Sequence, residues 1–258
     1  MSRQPRVSIV LPALNEEQAL PLVLAEIPKG IAAEIVVVDN GSTDGTAEVA
    51  RRAGARVVTE RRRGYGRACL SGIAVLDRPD IIVFLDADHS DYPEDLPALL
   101  EPILADRADF VVGSRIRGGA SREALLPQAY YGNRLACALL RLCFGARHTD
   151  LGPFRAIRSE DLYRLQMVDR GYGWTVEMQA KAAMAGLRVE EVPVRYRPRV
   201  GRSKITGTIR GTIGAGTKIL WTIARLRMSA RVGSKITSSH LRAASKECRR
   251  DLATAPAP

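Results

Sequence analysis

Long hydrophobic runs are missing from this chain of 258 residues. No run reaches the ~20 consecutive apolar residues that a helix needs to cross a bilayer. The first apolar run covers only residues 7–11, after a polar and basic start, so we expect no signal peptide. Apolar residues make up 46% of the chain and charged residues 26%, which is typical of a soluble globular protein.

Cysteine is scarce, and its spacing fits neither a disulfide framework nor a metal-binding motif. The four cysteines are Cys69, Cys137, Cys143 and Cys248, and no two of them form a Cys-x-x-Cys pair. They lie in apolar or basic contexts that are typical of helices. We therefore expect free thiols and a reducing, cytoplasmic compartment.

Two common nucleotide-binding motifs are also absent. No Gly-x-Gly-x-x-Gly follows the first apolar run, and no Gly-x-x-x-x-Gly-Lys-Ser/Thr occurs anywhere. The sequence thus supports neither a Rossmann dehydrogenase nor a P-loop NTPase. It contains no internal repeat and no low-complexity segment.

Acidic residues are almost absent from the C-terminal quarter. Residues 199–250 hold 13 of the 39 Lys and Arg residues and one acid, Glu247, so they carry a net charge of +12, whereas the rest of the chain sums to −1. A basic arm on a nearly neutral body indicates a polyanionic partner, either anionic lipid or nucleic acid. For residues 229–258 we prefer a solvated, partly disordered tail.

What the chain does contain is an alternation of short apolar strands and helices. Strands are predicted at residues 7–11, 35–38, 56–59, 81–85, 110–112 and 189–194, the last of them an edge strand because of Pro193. Their apolarity is continuous rather than alternating, which indicates a mainly parallel sheet covered by helices on both faces. The fold class is therefore α/β.

Two carboxylates follow the central predicted strand. Residues 81–85 are all apolar, and Asp86 and Asp88 come directly after them. Ligands of open α/β sheets bind outside the carboxyl ends of the strands. A turn there can aim both acids at one point, where their repulsion is costly unless a cation lies between them. A small set of hard oxygen ligands favours Mg²⁺ or Mn²⁺ shared with a phosphorylated substrate. The alternative is that both acids belong to an ordinary polar turn after the strand.

Other polar residues follow the neighbouring strands. Asn15 and Glu16 come after the first strand, and Asp39 ends the second. A single polar residue after a strand is readily explained as part of a turn. Several of them at the same edge of one sheet are harder to explain in this way. Residues 61–67, Arg-Arg-Arg-Gly-Tyr-Gly-Arg, form a basic loop whose N–H groups can close over a diphosphate, with Gly64 and Arg67 as binding candidates. A solvated run of charge is the alternative for this loop.

Three motifs carry a resemblance to a known family: Val7-Ser-Ile-Val-Leu-Pro-Ala-Leu-Asn-Glu-Glu17, Ile35-Val-Val-Val-Asp-Asn-Gly-Ser-Thr-Asp-Gly-Thr46 and Phe84-Leu-Asp-Ala-Asp88. In this order and spacing they resemble the nucleotide-sugar half of family 2 glycosyltransferases of GT-A fold. The sequence is most similar to the dolichyl- or polyprenyl-phosphate sugar synthases, over about residues 6–228. The resemblance implies a donor site formed by Pro12, Asn15, Glu16, Asp39, Gly64, Arg67, Asp86 and Ala87. Asp86 and Asp88 would also hold the metal and act in catalysis.

Further candidates lie in the second half of the chain. Arg115 and Arg117 follow the fifth strand in a glycine-containing segment. The resemblance implies that this region approaches the acceptor, which makes both arginines candidates for contacting its phosphate. The stretch from His148 to Arg155 resembles a Thr-Asp-x-x-Gly-Phe-Arg pattern of the family, with Pro153 as a departure, and this places Asp150 nearest the sugar. Glu177 has apolar neighbours and is either a base, a supporting acid or an exposed helix-face residue.

The basic segment after the edge strand also resembles the polyprenyl-phosphate subgroup. Its Gly-x-Ser-Lys stretch would put Arg202, Ser203 and Lys204 at the acceptor phosphate. Residues 205–228 have apolar positions at helical spacing, Ile209, Ile213, Leu220 and Ile223, with cations elsewhere on the helix. That pattern predicts an amphipathic helix in a membrane interface, and packing on the protein's own core is the alternative.

The sequence therefore predicts a GT-A-like domain at residues 1–204, an amphipathic helix at 205–228 and a basic tail at 229–258. The expected reaction moves a hexose, with inversion, from a UDP- or GDP-sugar to a lipid phosphate, on the cytoplasmic face of an anionic membrane and without nucleic acid. Such an acceptor is largely ionised near pH 7, with a second pKa of ~6, and needs no strong base. The alternatives are a hydroxyl acceptor with Asp150 or Glu177 as base, a nucleotidyltransferase, and a non-catalytic nucleotide-sugar-binding module.

Overall fold

A central mixed sheet organises the computed structural model, which describes residues 4–121, 124–201, 214 and 216–229. Its strands in the described residues are β1 Val7–Ala13, β2 Glu34–Asp39, β3 Arg56–Thr59, β4 Ile81–Phe84, β5 Phe110–Ser114, β6 Arg155–Arg158 and β7 Val189–Pro193. The order across the sheet is β3-β2-β1-β4-β6-β5-β7. All neighbouring pairs are parallel except the two that involve β6. The predicted mainly parallel α/β sheet is therefore confirmed, with β7 at its edge.

Helices cover both faces of this sheet. They are α1 Leu20–Glu26, α2 Thr46–Arg52, α3 Tyr65–Ile73, α4 Leu96–Leu104, α5 Pro127–Phe144, α6 Ser159–Leu165, α7 Trp174–Met184 and α8, residues 216–229. A 3-10 turn at Pro93–Asp95 leads into α4. No helix in the described ranges has both the length and the hydropathy that a bilayer-spanning helix requires.

Strand β4 shows why its residues are continuously apolar. Ile81 and Val83 belong to the core cluster on one face of the sheet, and Ile82 and Phe84 belong to the cluster on the other. Successive side chains of a strand point to opposite faces, so a strand covered on both sides has no solvent-facing position. Trp174 fills the second cluster, with its ring 5.8 Å from that of Phe84, as expected for a core residue.

Strand β6 is the one strand of the described residues that the sequence did not predict. It is four residues long and begins and ends with arginine, so its pattern does not resemble a buried strand. The Arg155 side chain is nevertheless buried, and its guanidinium donates to the backbone carbonyls of Leu151 (3.0 Å), Gly152 (3.0 Å) and Thr175 (3.1 Å). These bonds satisfy a charged group that would otherwise be too costly to bury.

The C-terminal helix corrects one expectation. Ile223, expected to face a membrane, is only 3% exposed and packs with Leu226 into a third cluster formed with α5 and α7. The alternative of packing on the protein's own core therefore holds for this face of α8. Residues 202–213, which contain the first nine residues of the predicted amphipathic helix, lie outside the described residues, as does nearly all of the predicted tail.

Helix α4 offers a matched test of the core. Leu100 is 1% exposed, whereas Leu104, one turn later, is 54% exposed. We expect Leu100→Ala to lower the free energy of unfolding by about 2–5 kcal/mol, because it removes buried methyl groups and leaves a cavity. Leu104→Ala should change it by less than about 0.5 kcal/mol. Urea denaturation of both variants measures the difference, and equal losses would contradict the burial of Leu100.

His148 gives a second test of the fold, through pH. Its side chain is 3% exposed beside β7, with Nδ1 4.0 Å from Oε1 of Glu191. Burial, together with the charge of Arg155, lowers the pKa of His148 from 6.5 to about 4. A depressed folded-state pKa means that the unfolded chain binds the proton first, so stability falls as the pH drops from about 6.5 to about 4.

At 1.36 kcal/mol for each pKa unit, the loss due to His148 amounts to roughly 3 kcal/mol. We expect His148→Gln to flatten the pH dependence of the unfolding free energy in this window. Leu104→Ala, which alters no titratable group, is the control and should keep the slope. An unchanged slope in His148→Gln would mean that His148 is not held neutral by burial.

Candidate active site

A cavity of about 420 Å³ opens at the carboxyl ends of β1, β2 and β4. Its lining residues are Pro12, Ala13, Leu14, Asn15, Glu16, Asn40, Arg63, Gly64, Tyr65, Ala68, Asp86, Ala87, Asp88, Tyr172 and Arg199. Seven of them were named from the sequence: Pro12, Asn15, Glu16, Gly64, Asp86, Ala87 and Asp88. The predicted edge of the sheet is thus where the cavity lies, and the roles of the individual residues stay predictions.

The loops after β1 and β2 are joined by hydrogen bonds. The N–H of Asn15 donates to Oγ of Ser42 (2.9 Å), and the N–H of Thr43 donates to Oδ1 of Asn15 (2.7 Å). Asn15 has a φ of 54°, a left-handed conformation that asparagine tolerates better than most residues. Asp39 does not line the cavity. Its Oδ1 accepts a hydrogen bond from the N–H of Ser42 (2.9 Å) and so stabilises the turn after β2.

Asp86 and Asp88 lie at the floor of the cavity with different partners. The Tyr65 hydroxyl donates to Oδ1 of Asp86 (3.0 Å). Burial and the nearby charge of Asp88 raise the pKa of Asp86 to about 7. Oδ1 of Asp88 accepts from the N–H (3.0 Å) and hydroxyl (2.6 Å) of Ser90, and Oδ2 lies 3.2 Å from a guanidinium nitrogen of Arg199.

This carboxylate pair fits a divalent cation. A cation between the two acids would offset the burial and the repulsion that raise the pKa of Asp86, and carboxylate oxygens suit Mg²⁺ or Mn²⁺. Within the described residues, no group of three or more His, Cys, Asp or Glu side chains could hold a metal. A metal at Asp86 and Asp88 would therefore need oxygens from a ligand to complete its coordination shell, as a shared diphosphate provides.

The basic loop is fixed by Asn40, which the sequence analysis named only as part of a motif. Its amide nitrogen donates to the carbonyls of Glu60 (3.0 Å) and Arg62 (2.9 Å), and its Oδ1 accepts from the N–H of Gly64 (2.8 Å). Gly64 lines the cavity, whereas Arg67 does not. The N–H of Arg67 instead donates to the carbonyl of Arg170 (3.2 Å).

The acceptor candidate Arg115 and the catalytic candidate Asp150 bind each other. Nε of Arg115 lies 2.8 Å from Oδ2 of Asp150 and its terminal nitrogen 2.7 Å from Oδ1, which is the bidentate geometry of a strong ion pair. Asp150 has no exposed surface. The guanidinium of Arg117 donates to the carbonyl of Glu191. Residues 202–204, the remaining acceptor candidates, lie outside the described residues.

Glu177 lies away from the cavity. It is fully buried, and its carboxylate accepts from the N–H groups of Val168 (3.2 Å) and Asp169 (2.7 Å). Nζ of Lys181 is 2.9 Å from its Oε1. These contacts give Glu177 a structural task, which is to hold the chain before α7.

An arginine-rich segment after β7 crosses the cavity edge. Arg195 pairs with Asp95 (2.7 Å), Arg197 pairs with Glu26, and Arg199 pairs with both Glu16 (2.7 Å) and Asp88 (3.2 Å). The sequence analysis noted this run of charge but did not assign Arg199 to the cavity. Arg195, Arg197 and Arg199 alternate along the chain after an edge strand, and alternate residues of an extended chain lie on one side. This spacing could have indicated that all three arginines face the same part of the protein.

The comparisons with known proteins agree with this geometry. The chain matches the family model described as Glycosyl transferase family 2 over residues 8–165. A dolichyl-phosphate hexose transferase of Haloferax volcanii is 37% identical over 202 residues, covering 77% of this chain and 86% of the relative. An undecaprenyl-phosphate mannosyltransferase of Micrococcus luteus is 33% identical over 227 residues, covering 80% of this chain and 90% of the relative.

Solved structures share the fold. Glucosyl-3-phosphoglycerate synthase from Mycobacterium tuberculosis, in complex with Mn²⁺, UDP-glucose and phosphoglyceric acid, matches with a TM-score of 0.68 and 26% identity, covering 86% of this chain and 80% of that one. The similarity confirms the GT-A-like architecture. Because the family model spans more than half of the chain and includes the polar ends of β1, β2 and β4, the chain belongs to family 2 of the glycosyltransferases.

Proposed function

We propose that the protein transfers a hexose from a nucleoside-diphosphate sugar to a polyprenyl or dolichyl phosphate, with inversion and with the help of Mg²⁺ or Mn²⁺. The observation that carries the proposal is the cavity at the sheet edge, where Asp86 and Asp88 meet the loops after β1 and β2. The names of the two relatives support a lipid-phosphate acceptor, and the Mn²⁺ and UDP-glucose of the structural neighbour support the donor class.

In this proposal the donor lies in the cavity, with its diphosphate at Asp86 and Asp88. A metal held by these two residues would stabilise the charge that develops on the leaving diphosphate. Arg199, already paired with Asp88, can contribute a further positive charge on the same side. Pro12, Asn15 and Glu16 form the wall on which the nucleoside would rest.

A phosphate acceptor agrees with the state of the remaining acids. Asp150 is held by Arg115 and Glu177 by Lys181, so both carboxylates are engaged by cations. A lipid phosphate with a second pKa of ~6 is already a nucleophile near pH 7 and needs no base. Arg115, Arg117 and residues 202–204 are the cations that we assign to the acceptor side.

A second candidate is transfer to a hydroxyl of a small phosphorylated acceptor. The observation that favours it is the structural neighbour, whose title names phosphoglyceric acid beside UDP-glucose. In that case Asp150, freed from Arg115 when the acceptor arrives, would be the candidate base.

Transfer is tested by supplying UDP- and GDP-hexoses with Mn²⁺ to the purified protein and polyprenyl phosphate in vesicles. We expect a lipid-linked hexose and a free nucleoside diphosphate, identified by mass spectrometry. Asp88→Asn should lower turnover at least about 10²-fold, because several kcal/mol of metal stabilisation is lost at 1.36 kcal/mol per factor of ten. Asp77→Asn, at an exposed carboxylate that does not line the cavity, is the control.

Each alternative predicts a different product. Transfer to phosphoglyceric acid in place of the lipid would favour the hydroxyl acceptor, and release of pyrophosphate would indicate a nucleotidyltransferase. Normal turnover in Asp88→Asn would remove the metal from the mechanism.

The proposed acceptor requires contact with a membrane, and two helices offer an apolar surface for it. Of the thirteen exposed large apolar side chains in the described residues, seven lie on or just before α5 or on α8: Leu126, Tyr131, Leu135, Leu142, Leu220, Trp221 and Met228. Tyr131, Leu135 and Leu142 share one face of α5, at spacings of four and seven residues. Residues 124–149 and 214–229 include several arginines and a lysine but no acid, which complements an anionic lipid surface.

Vesicle binding tests this surface. The protein should sediment with vesicles that contain anionic lipid, and added salt should weaken binding, because each cation near the surface contributes ~1 kcal/mol that is screened over ~8–10 Å. Leu142→Glu, at a side chain that is 80% exposed, should release the protein without unfolding it. Leu104→Glu on α4 is the control and should stay bound. If both variants bind like the wild type, α5 does not contact the membrane.

A further inference from the structure

Asp169, in the loop between α6 and α7, is a buried carboxylate that the proposed reaction does not use. Its side chain has no exposed surface. Oδ1 accepts from the N–H groups of Gly171 (2.8 Å) and Gly173 (3.1 Å), so the carboxylate shapes its own loop. Oδ2 lies 2.9 Å from Nζ of Lys218 on α8. We call residues 166–173 the Asp169 loop.

The Asp169 loop packs so closely against the basic loop of the cavity that two positions of the basic loop cannot carry a side chain. A Cβ on Gly64 would lie 2.2 Å from the carbonyl oxygen of Arg170, and one on Gly66 would lie 2.1 Å from that of Asp169. The N–H of Gly66 donates to the carbonyl of Gly171 (3.3 Å). The two glycines are therefore needed for contact between the two loops, which was not the reason assigned to them from the sequence.

A single residue connects this contact between the loops to the proposed metal site. Tyr65 lies between Gly64 and Gly66, and its hydroxyl donates to Oδ1 of Asp86. Tyr172, on the Asp169 loop itself, lines the cavity. A shift of the Asp169 loop would thus move one wall of the cavity directly and would move the hydrogen-bond partner of Asp86 through the two glycines.

Helix α8 is attached to the same loop by a second ion pair. A guanidinium nitrogen of Arg225 lies 3.8 Å from Oε1 of Glu177, the carboxylate that holds the N–H groups of Val168 and Asp169. Trp221 lies between the two helix cations, 5.0 Å from Nζ of Lys218 and 4.9 Å from the guanidinium carbon of Arg225. Its ring is 53% exposed, so whatever contacts it also contacts the groups that dock α8.

We propose that Asp169 is a positioning residue that links the docking of α8 to the geometry of the donor cavity. The proposal rests on the proposed function, since it concerns the same cavity. When α8 is docked, Lys218 neutralises a carboxylate that has no access to water. When α8 leaves, that charge must be hydrated, because an unpaired buried carboxylate is strongly disfavoured, and the loop has to open.

The linkage works in both directions. Opening of the Asp169 loop loosens the contacts at Gly64 and Gly66 and weakens donor binding. By thermodynamic reciprocity, a donor that requires the closed loop strengthens the docking of α8 by the same factor. Any change in the docking of α8 therefore changes the affinity of a cavity that the helix does not line.

The first arm of the test measures the dissociation constants of UDP and GDP with Mn²⁺ by calorimetry. We expect Lys218→Met to weaken the nucleotide that the wild type binds about 5- to 150-fold, the usual range of coupling between sites. Asp169→Asn should weaken it too, and the double variant should be no worse than the stronger single one, since both remove one interaction. Lys218→Arg keeps the charge and should restore affinity, and Arg227→Met on the same helix is the control.

The second arm uses the wild type alone, so it decides the question even if Lys218→Met does not fold. Nucleotide and Mn²⁺ should slow amide hydrogen exchange in residues 216–229. Unchanged exchange there, or variants that lose thermal stability yet bind nucleotide like the wild type, would overturn the linkage and leave Asp169 a merely structural residue. A wild type that binds neither nucleotide would overturn the proposed function and this inference together.

Discussion

The repulsion between Asp86 and Asp88 is the constraint around which the site is built. Two carboxylates separated by one residue at the end of a buried strand cannot both stay ionised without compensation. In the described residues the compensation comes from the Tyr65 hydroxyl on one acid and from Ser90 and Arg199 on the other. Ser90 is local, whereas Tyr65 and Arg199 come from other parts of the chain, so the acid pair draws distant segments to one place.

Arginines provide most of that convergence. Arg199 joins the segment after β7 to the loop after β1 through Glu16, and Arg197 joins it to α1 through Glu26. Arg155 holds the turn before β6 from within the core. A guanidinium presents several donors in a fixed plane and keeps its charge when buried, which suits it to these long-range connections. The second half of the chain is therefore fastened to the first by charge as well as by the sheet.

The sequence predicts local features well and long-range pairings poorly. The apolar strands and the acids at Asp86 and Asp88 are visible because each is a short pattern that needs no partner to be recognised. Arg199, Asn40 and Asp169 were not assigned because their roles depend on residues 20 or more positions away. Ile223 was assigned to the wrong surroundings, since helical periodicity identifies an apolar face but not whether lipid or protein covers it.

The reversed strand β6 has a consequence for how the two halves of the site are aligned. Arg155 lies opposite Phe84 of β4 and Val112 of β5, so the residues just before β6 come out at the same edge as the residues just after β4. This is how Asp150, which precedes a strand, comes to the end of the sheet that also carries Asp86. The hydrogen-bond register of the four-residue strand β6 thus sets the position of the turn that precedes it. A slip of one position would displace the preceding turn by ~3.3 Å along the strand and exchange its inward and outward side chains, so the position of Asp150 relative to Asp86 depends on backbone register.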